Sequence, residues 1–204
     1  MKGERIMARV DIRIPDWVDR ICAWPMMVYR KQKYGYSFRR IYLNDGEWTI
    51  VEPEDYYRLN KYNWGISGNG RVFYAVRNVK VGPGQTKMVS MHREIMNAPK
   101  GMEVDHRNWK TLDNRMANLR LATRAENNRH RRKRRKETVS QYTGVHLDRE
   151  TGRWVARIWY QGKRIWLGSF ESEIEAARAY DRAALKYHGE FAHLNFPREE
   201  YINA

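Results

Sequence analysis

Residues 101–128 have the sequence GMEVDHRNWKTLDNRMANLRLATRAENN, in which polar side chains stand between short apolar runs. Asp105 and His106 follow the apolar Val104, and asparagines stand at 108, 114, 118, 127 and 128. Carboxylate and amide oxygens are ligands that Mg²⁺ prefers, and a neutral imidazole can accept a proton from water. The segment therefore contains the groups that metal-assisted hydrolysis of a phosphodiester requires.

The pattern of this segment predicts strands over 103–106 and 119–122, followed by a helix. Thr123 and Glu126 have the spacing of a capping box, so the helix begins at residue 124. Adjacent strand residues point to opposite faces, so Asp105 and His106 can serve one site only if the strand ends or bulges there. Asn127 falls in the first helical turn, where the helix N-terminus favours an anion such as phosphate.

The stretch from about residue 90 to residue 128 resembles the HNH nucleases, specifically the zinc-free branch of phage and intron-encoded homing endonucleases. The motifs VDH, LDNR, NLR and T-x-x-x-N carry the resemblance. It implies a ββα-metal core in which Asp105 and Asn127 bind one divalent metal, Mg²⁺ or Mn²⁺, without structural zinc. It also implies that His106 is the general base and that Asn118 braces the metal loop. Asn128 is the alternative to Asn127 if the register differs by one residue.

Other polar residues near these motifs receive more ordinary interpretations. His92 precedes the metal motif, and we interpret it as scaffold because helix packing accounts for it. Asp113 and Asn114 are interpreted as turn residues or, less simply, as substrate contacts. Arg107 and Lys110 are either phosphate contacts or ordinary surface charge, and the sequence favours neither.

The C-terminal part of the chain shows a β, β, β, α pattern after residue 140. Strand composition covers 143–147, 154–160 and 164–170, and a helix is predicted over 172–187. Ser172 and Glu175 have capping-box spacing at the start of this helix. Its Ala176, Tyr180 and Ala183 fall on one face, which allows close packing against a sheet.

Residues 142–197 resemble the APETALA/ethylene-response-factor (ERF) DNA-binding domain of plants, through WLGSF, EAARAYDRAA and the terminal LNFP. The resemblance implies a three-stranded antiparallel sheet, packed on one helix, that enters the major groove of duplex DNA. The implied DNA contacts are Arg149, Arg153, Arg157, Arg164 and Trp166, with His146 and Trp159 as further candidates. His146, Asp148, Arg157 and Trp159 depart from the plant pattern, so the plant target sequence cannot be transferred. Trp154 is expected in the core.

Charge points to the same kind of partner. The 204 residues include 39 Lys and Arg against 24 Asp and Glu, which gives a formal net charge of +15. Such an excess favours nucleic acid or an anionic membrane surface as the partner. The 42% of hydrophobic residues are enough for a packed core, which excludes disorder throughout the chain.

The strongest run of charge is RHRRKRRK at 129–136, which contains no apolar residue. Like charges repel, so the run is either a solvated linker or an arm laid along phosphates. The large net charge favours the arm. Its predicted DNA contacts are Arg131, Arg132, Arg134 and Arg135.

Several classes of protein are excluded or disfavoured. The single cysteine, Cys22, excludes an intrachain disulfide and a cysteine-cluster zinc site. The longest apolar run, 21–29, is interrupted by Pro25 and is too short to span a bilayer. No apolar stretch near Met1 resembles a signal peptide. With the resemblance to phage nucleases, we expect a monomer without a membrane partner, cytoplasmic and nucleoid-associated in a bacterial or phage-infected cell, and not a secreted protein.

The part before the metal motif is expected to be structured from about residue 41. A short helix is predicted over 52–61, a hairpin over 71–81 and 87–91 with VGPGQ as its turn, and a helix over 91–97. The aromatic residues of this part are expected in the core rather than as base-stacking platforms; they are Trp48, Tyr56, Tyr57, Tyr62 and Trp64. Residues 1–40 are interpreted as a basic extension, either a DNA arm or a packing segment.

The sequence thus predicts an α+β protein with a ββα-metal HNH nuclease core and a small three-stranded antiparallel sheet packed on one helix. The predicted division is 1–40 extension, 41–128 nuclease domain with its core at 90–128, 129–139 linker, 140–197 DNA-binding domain and 198–204 tail. The predicted function is that of a metal-dependent, site-directed nicking homing endonuclease acting on duplex DNA. The alternatives are a non-catalytic DNA-binding or regulatory protein with a decayed nuclease core and, from a third class, an RNA-binding protein.

Overall fold

The computed structural model describes residues 15–70, 72–130 and 139–202. These residues form two compact units: one from residues up to 98 together with 104–120, the other from 99–103 together with residues after 120. Helices and small sheets occur in both units, which confirms the α+β prediction. Within the described part of the chain, no helix has both the length and the apolar character needed to cross a membrane.

Among the described residues up to 122, the structure has three α-helices and seven strands. They are α1 Asp16–Tyr34, β1 Arg39–Tyr42, β2 Trp48–Val51, α2 Pro53–Leu59, β3 Gly65–Gly68, β4 Phe73–Gly82, β5 Gln85–Ser90, α3 Met91–Ile95, β6 Glu103–His106 and β7 Leu119–Ala122. The sheets are the antiparallel pair β1–β2, the antiparallel triplet β3–β4–β5, and the pair β6–β7. Strands β6 and β7 begin and end where the sequence predicts, and the predicted hairpin is β4–β5.

Helix α1 lies in a part of the chain for which the sequence pattern predicts no element. It contains Pro25 and ends at Gly35, whose left-handed φ of 81° terminates it. No residue of α1 is buried. Polar contacts hold the helix instead: Asp19 forms a 2.8 Å ion pair with Arg39, and Arg30 donates a hydrogen bond to the carbonyl of Phe38.

The core of the first unit gathers side chains from α2, α3 and every one of its sheets. Its buried members are Ile41, Leu43, Val51, Leu59, Trp64, Ala75, Met91, Ile95, Val104 and Leu119. Trp64 is fully buried, which confirms its predicted position in the core. For Trp48 and Tyr62 that prediction is wrong, because their rings are exposed and stack on the guanidinium groups of Arg40 and Arg77 instead.

The second unit contains α4 Arg124–His130, β8 Val145–Leu147, β9 Trp154–Tyr160, β10 Lys163–Phe170, α5 Glu173–His188 and the short α6 Glu199–Ile202. The antiparallel sheet has the order β10–β9–β8, and α5 packs on it through Ala176, Ala177, Tyr180, Ala183 and Ala184. Small alanines bring the helix close to the sheet, as the one-sided alanine pattern predicts.

Gly144 shows how tight this packing is. Its φ is +77°, and a Cβ there would come within 2.0 Å of the Tyr180 ring and 2.8 Å of the carbonyl oxygen of Arg157. Both neighbours belong to the packed interior of the unit, so neither can move away cheaply. Glycine is therefore required at the entry to β8 both by its backbone conformation and by the space available.

Candidate functional site

Asp105 and His106 are the last two residues of strand β6. Asp105 is buried, and Arg120 on β7 donates to its Oδ2 from Nε at 2.8 Å and from Nη2 at 2.6 Å. The amide of Arg107 still bonds to the carbonyl of Asn118 at 2.8 Å, after which the chain turns. The Asp105 carboxylate is therefore held in a buried ion pair with a cation from the neighbouring strand.

The side chain of His106 contacts different residues from those that contact Asp105. Its exposed fraction is 4%, and its Nε2 lies 3.2 Å from Oδ1 of Asn114. The rings of Tyr74 and His92 pack against it, with centroid separations of 6.2 Å and 5.3 Å. Burial lowers the pKa of His106, against the opposing effect of the Asn114 hydrogen bond and of nearby acids. The imidazole is therefore neutral near pH 7, as a proton acceptor must be.

His92 is closer to this site than its interpretation as plain scaffold implies. Its side chain is 9% exposed, and its Nδ1 is buried without a hydrogen-bond partner among the described residues. Burial, with smaller contributions from the charges of His106 and Arg93, lowers the pKa of His92 to about 3. His92 is thus an uncharged ring whose edge-to-face contact helps to confine the ring of His106.

Asn118 spans the loop that joins β6 to β7. Its Oδ1 accepts from the amide of Asn108 at 3.1 Å, and its Nδ2 donates to the carbonyl of Asp113 at 2.8 Å. Asp113 in turn receives two bonds of 2.7 Å from Arg115 and one from the side chain of Asn108. These contacts tie the loop into one hydrogen-bonded unit directly after His106.

Asn127 lies in α4, which begins with the predicted capping box. Glu126 accepts from the amide of Thr123 at 2.7 Å, and the amide of Glu126 donates to the Thr123 hydroxyl at 3.3 Å. The side-chain nitrogen of Asn127 donates to Glu103. This contact fixes the amide orientation, because the nitrogen faces Glu103 and the oxygen must face away from it.

The residues present fit a hard divalent cation in their chemistry. The two predicted ligands offer a carboxylate and an amide oxygen, the donors that Mg²⁺ and Mn²⁺ accept. Asp105 belongs to the first unit and Asn127 to the second. Within the described ranges, no cluster of three or more His, Cys, Asp and Glu side chains is arranged to hold a metal. A bound ion would also have to share Asp105 with Arg120.

The second candidate surface is the face of the β8–β10 sheet opposite α5. Register pairs Arg157 with Trp166 and Arg164 with Trp159 across β9 and β10, so the four side chains share this face. Trp159 is 59% exposed and Trp166 63% exposed, and the Arg164 guanidinium lies 5.1 Å from the Trp159 ring centroid. His146 joins them from β8, where burial, then Arg157 and Arg164, lower its pKa.

The other predicted DNA contacts are placed less uniformly. Arg149 is exposed in the turn between β8 and β9. Arg153 bonds to Ser169 through Nε at 3.2 Å and approaches Glu171 at 3.4 Å, so part of its hydrogen-bonding capacity is used within the unit. The predicted contacts Arg131, Arg132, Arg134 and Arg135 lie outside the described residues.

Several residues that contact the predicted site have no motif to identify them. Thr49, Tyr74, Glu103 and Arg120 come from four different strands. Asn114 is fully buried, and its side chain contacts both Thr49 and His106, which its interpretation as a turn residue does not anticipate. A local pattern could indicate only Arg120, because a charged residue inside a short apolar strand needs a buried partner.

Comparison with known proteins follows the same division of the chain. The family model described as the AP2 domain matches residues 140–190, and the model described as HNH endonuclease matches residues 97–129. The HNH and AP2-type resemblances drawn from the sequence are thereby confirmed, while the homing-endonuclease branch stays a prediction. The four predicted catalytic residues lie within the HNH match, and the predicted DNA contacts from 149 to 166 lie within the AP2 match.

Plant proteins are similar to the second of these segments. APETALA2-like protein 2 of Oryza sativa subsp. indica is 52% identical over 62 residues, which are 30% of this chain and 14% of the rice protein. The AP2-like ethylene-responsive transcription factor TOE2 of Arabidopsis thaliana is also 52% identical over 62 residues, 30% of this chain and 13% of that protein. The chain thus spans about one seventh of the length of these relatives.

Proposed function

We propose that this protein is a metal-dependent HNH endonuclease that nicks duplex DNA at a position selected by its AP2-type domain. The observation that carries the proposal is the buried His106 next to Asp105 at the end of β6, with its ring bonded to Asn114 and the following loop held by Asn118. A neutral imidazole beside a carboxylate is the pair that hydrolysis of a phosphodiester needs. The match to the HNH endonuclease model covers both Asp105 and His106.

In the proposed reaction, His106 accepts a proton from the water that attacks phosphorus, and the bond to the leaving oxygen breaks in line. Asp105 and Asn127 would hold one Mg²⁺ or Mn²⁺, which supplies charge stabilisation to the phosphate and the leaving oxygen when bound. Glu103 orients the amide of Asn127, and Asn118 keeps the loop after His106 in place. One compact site of this kind serves one strand, hence a nick.

The exposed basic and aromatic face of the β8–β10 sheet supplies the DNA-binding part of the proposal. Arginine can read guanine with two hydrogen bonds or hold phosphates, and a β-sheet fits the major groove. A nuclease that carries its own sequence-reading module on the same chain would suit a homing endonuclease of a mobile element. It would act as a monomer on one target.

One observation favours the alternative, a DNA-binding regulatory protein with an inactive nuclease core. Arg120 already neutralises Asp105, and a cation that competes with a divalent ion weakens its binding. The two functions differ in a direct measurement: whether Mg²⁺ or Mn²⁺ supports nicking of supercoiled plasmid.

The deciding experiment is a plasmid-nicking assay with the wild type and His106→Ala, each with metal and with chelator. Loss of a general base lowers the rate by on the order of 10²–10⁴-fold without removing DNA binding. His188→Gln in the second unit is the matched histidine control. A wild type that binds DNA but never nicks it, or a fully active His106→Ala, would overturn the proposal.

A further inference from the structure

A line of buried polar side chains leads from β2 to His106. The hydroxyl of Thr49 lies 2.7 Å from the carbonyl oxygen of Leu112, and Nδ2 of Asn114 lies 2.8 Å from that hydroxyl. Oδ1 of Asn114 then lies 3.2 Å from Nε2 of His106. Thr49 and Asn114 are 0% exposed and His106 is 4% exposed, so solvent does not replace these bonds.

The carbonyl group of Leu112 at the far end of this line fixes the donor and the acceptor of every hydrogen bond in it. A carbonyl oxygen carries no hydrogen, so the proton between it and the Thr49 hydroxyl belongs to Thr49. Because that hydroxyl has only one proton, its oxygen must accept from Asn114. Asn114 therefore directs its NH₂ group to Thr49 and its carbonyl oxygen to His106.

The orientation of the Asn114 amide also determines which ring nitrogen of His106 carries the hydrogen. An amide oxygen can only accept, so Nε2 of His106 must carry the hydrogen in the 3.2 Å contact. A neutral imidazole carries one ring hydrogen, so Nδ1 then holds the unshared electron pair. Reversing the amide would place the Asn114 oxygen against the Thr49 oxygen, whose only proton is already donated to Leu112, in a site where unpaired polar groups are costly.

We propose that Thr49 and Asn114 are positioning residues that fix the Nε2–H tautomer of His106 and so make Nδ1 the nitrogen that accepts the proton from water. The role as a base rests on the proposed nuclease function, whereas the tautomer itself does not. Tyr74 and His92, whose rings also contact each other, assist by packing against the His106 ring. The line connects β2 to the loop after β6, two parts of the sequence 65 residues apart.

The tautomer can be measured without any cleavage. Long-range ¹H–¹⁵N correlation spectra of the full chain at pH 7.5 distinguish Nε2–H from Nδ1–H for each of the six histidines. The His106 signals are assigned by their loss in His106→Gln. The expected spectrum shows a protonated Nε2 and an unprotonated Nδ1 for His106. A proton on Nδ1 in the wild type would overturn the proposal outright.

Variants at Thr49 test the positioning role. Thr49→Val keeps the shape but removes the acceptor for Asn114, whose amide is then free to turn and present NH₂ to His106. We expect a measurable Nδ1–H population and a nicking rate at saturating DNA that is lower by on the order of ten- to a hundredfold, with DNA affinity unchanged. Thr49→Ser restores the hydroxyl, and with it the Nε2–H tautomer and most of the lost rate.

Thr111→Val is the matched control, because the Thr111 hydroxyl donates to the carbonyl of Phe73 at 2.5 Å and takes no part in the hydrogen bonds from Thr49 to His106. It should change neither the tautomer nor the rate. If Thr49→Val folds and keeps a pure Nε2–H tautomer, Thr49 does not position His106. If the wild type shows Nε2–H but never nicks DNA, the nuclease function fails while the tautomer assignment stands.

Discussion

Acid should destabilise the first unit through His92. The side chain is 9% exposed, and its pKa in the folded protein is about 3, against about 6.5 in an unfolded chain. As the pH falls below 6.5, His92 becomes protonated in the unfolded state but stays neutral in the folded state. The stability associated with a neutral His92 is therefore present above about pH 6.5 and is lost progressively toward pH 3.

The size of the effect follows from the interval between the two pKa values. Between pH 6.5 and pH 5 the unfolded histidine becomes protonated over 1.5 pH units while the folded one stays neutral. At about 1.4 kcal/mol per unit, the free energy of unfolding falls by about 2 kcal/mol through this residue. The side chain is buried, so solvent screening reduces this value little.

The assay is urea unfolding at pH 7.5 and pH 5, followed by hydrogen exchange in peptides from β4 and α3. Other groups titrate in the same range, so the quantity of interest is the difference between the wild type and His92→Gln, which has no ring proton to gain. That difference should shift by about 2 kcal/mol in favour of the variant at pH 5. His146→Gln, at a half-exposed position in the second unit, serves as control and should leave these peptides unchanged.

If the difference in the free energy of unfolding between the wild type and His92→Gln is the same at pH 7.5 and pH 5, the argument for His92 is refuted. A direct titration provides a second criterion that does not depend on how the variant folds. The ring signals of His92 in the wild type should show no protonation down to about pH 4. A midpoint near 6 would mean that burial and its charged neighbours do not control this ring.

Three further predictions concern the metal, the DNA and the fold. Glu103→Ala should weaken Mn²⁺ binding by on the order of 10- to 100-fold, because the Asn127 amide loses its orienting partner; calorimetric titration against Glu103→Gln, which keeps an acceptor, is the test, and equal affinities would contradict it. Changing Arg131, Arg132, Arg134 and Arg135 together to Gln should reduce the slope of log DNA affinity against log salt by roughly 3–4, if these residues neutralise phosphates, whereas a free linker predicts almost no change. Gly144→Ala should destabilise the second unit by about 3 kcal/mol in thermal unfolding, well beyond Gly152→Ala, which has the same backbone cost but open space for its Cβ.

Local sequence patterns predicted the elements whose signals are local. Strands β6 and β7 and the capping box at Thr123 match their predicted positions, since each depends on residues within a few places of one another. Helix α1 was missed although it has acidic residues in its first turn and Gly35 at its end. Pro25 disfavours a helix interior, and no residue of the helix is buried in a core that could mark one of its faces.

The site could be predicted as a set of residue types but not as a set of contacts. The motifs identified Asp105, His106, Asn118 and Asn127 as candidates. They could not indicate that Arg120 neutralises Asp105, because the pairing depends on the register of β6 and β7. Cross-strand partners follow from the three-dimensional arrangement of the strands, and a single sequence contains no direct signal for it.

The residues that contact His106 also indicate how much of the chain the proposed chemistry needs. The stretch that matches the HNH endonuclease model, 97–129, contains the base and Asn114 but not Thr49, Tyr74 or His92. Without Thr49, nothing in that stretch decides which end of the Asn114 amide faces the imidazole. Without the two aromatic neighbours, the ring also loses the surfaces that confine it. In the proposed reaction, the sheets before residue 97 would therefore do more than complete a core, because Thr49 would determine which nitrogen of His106 accepts the proton.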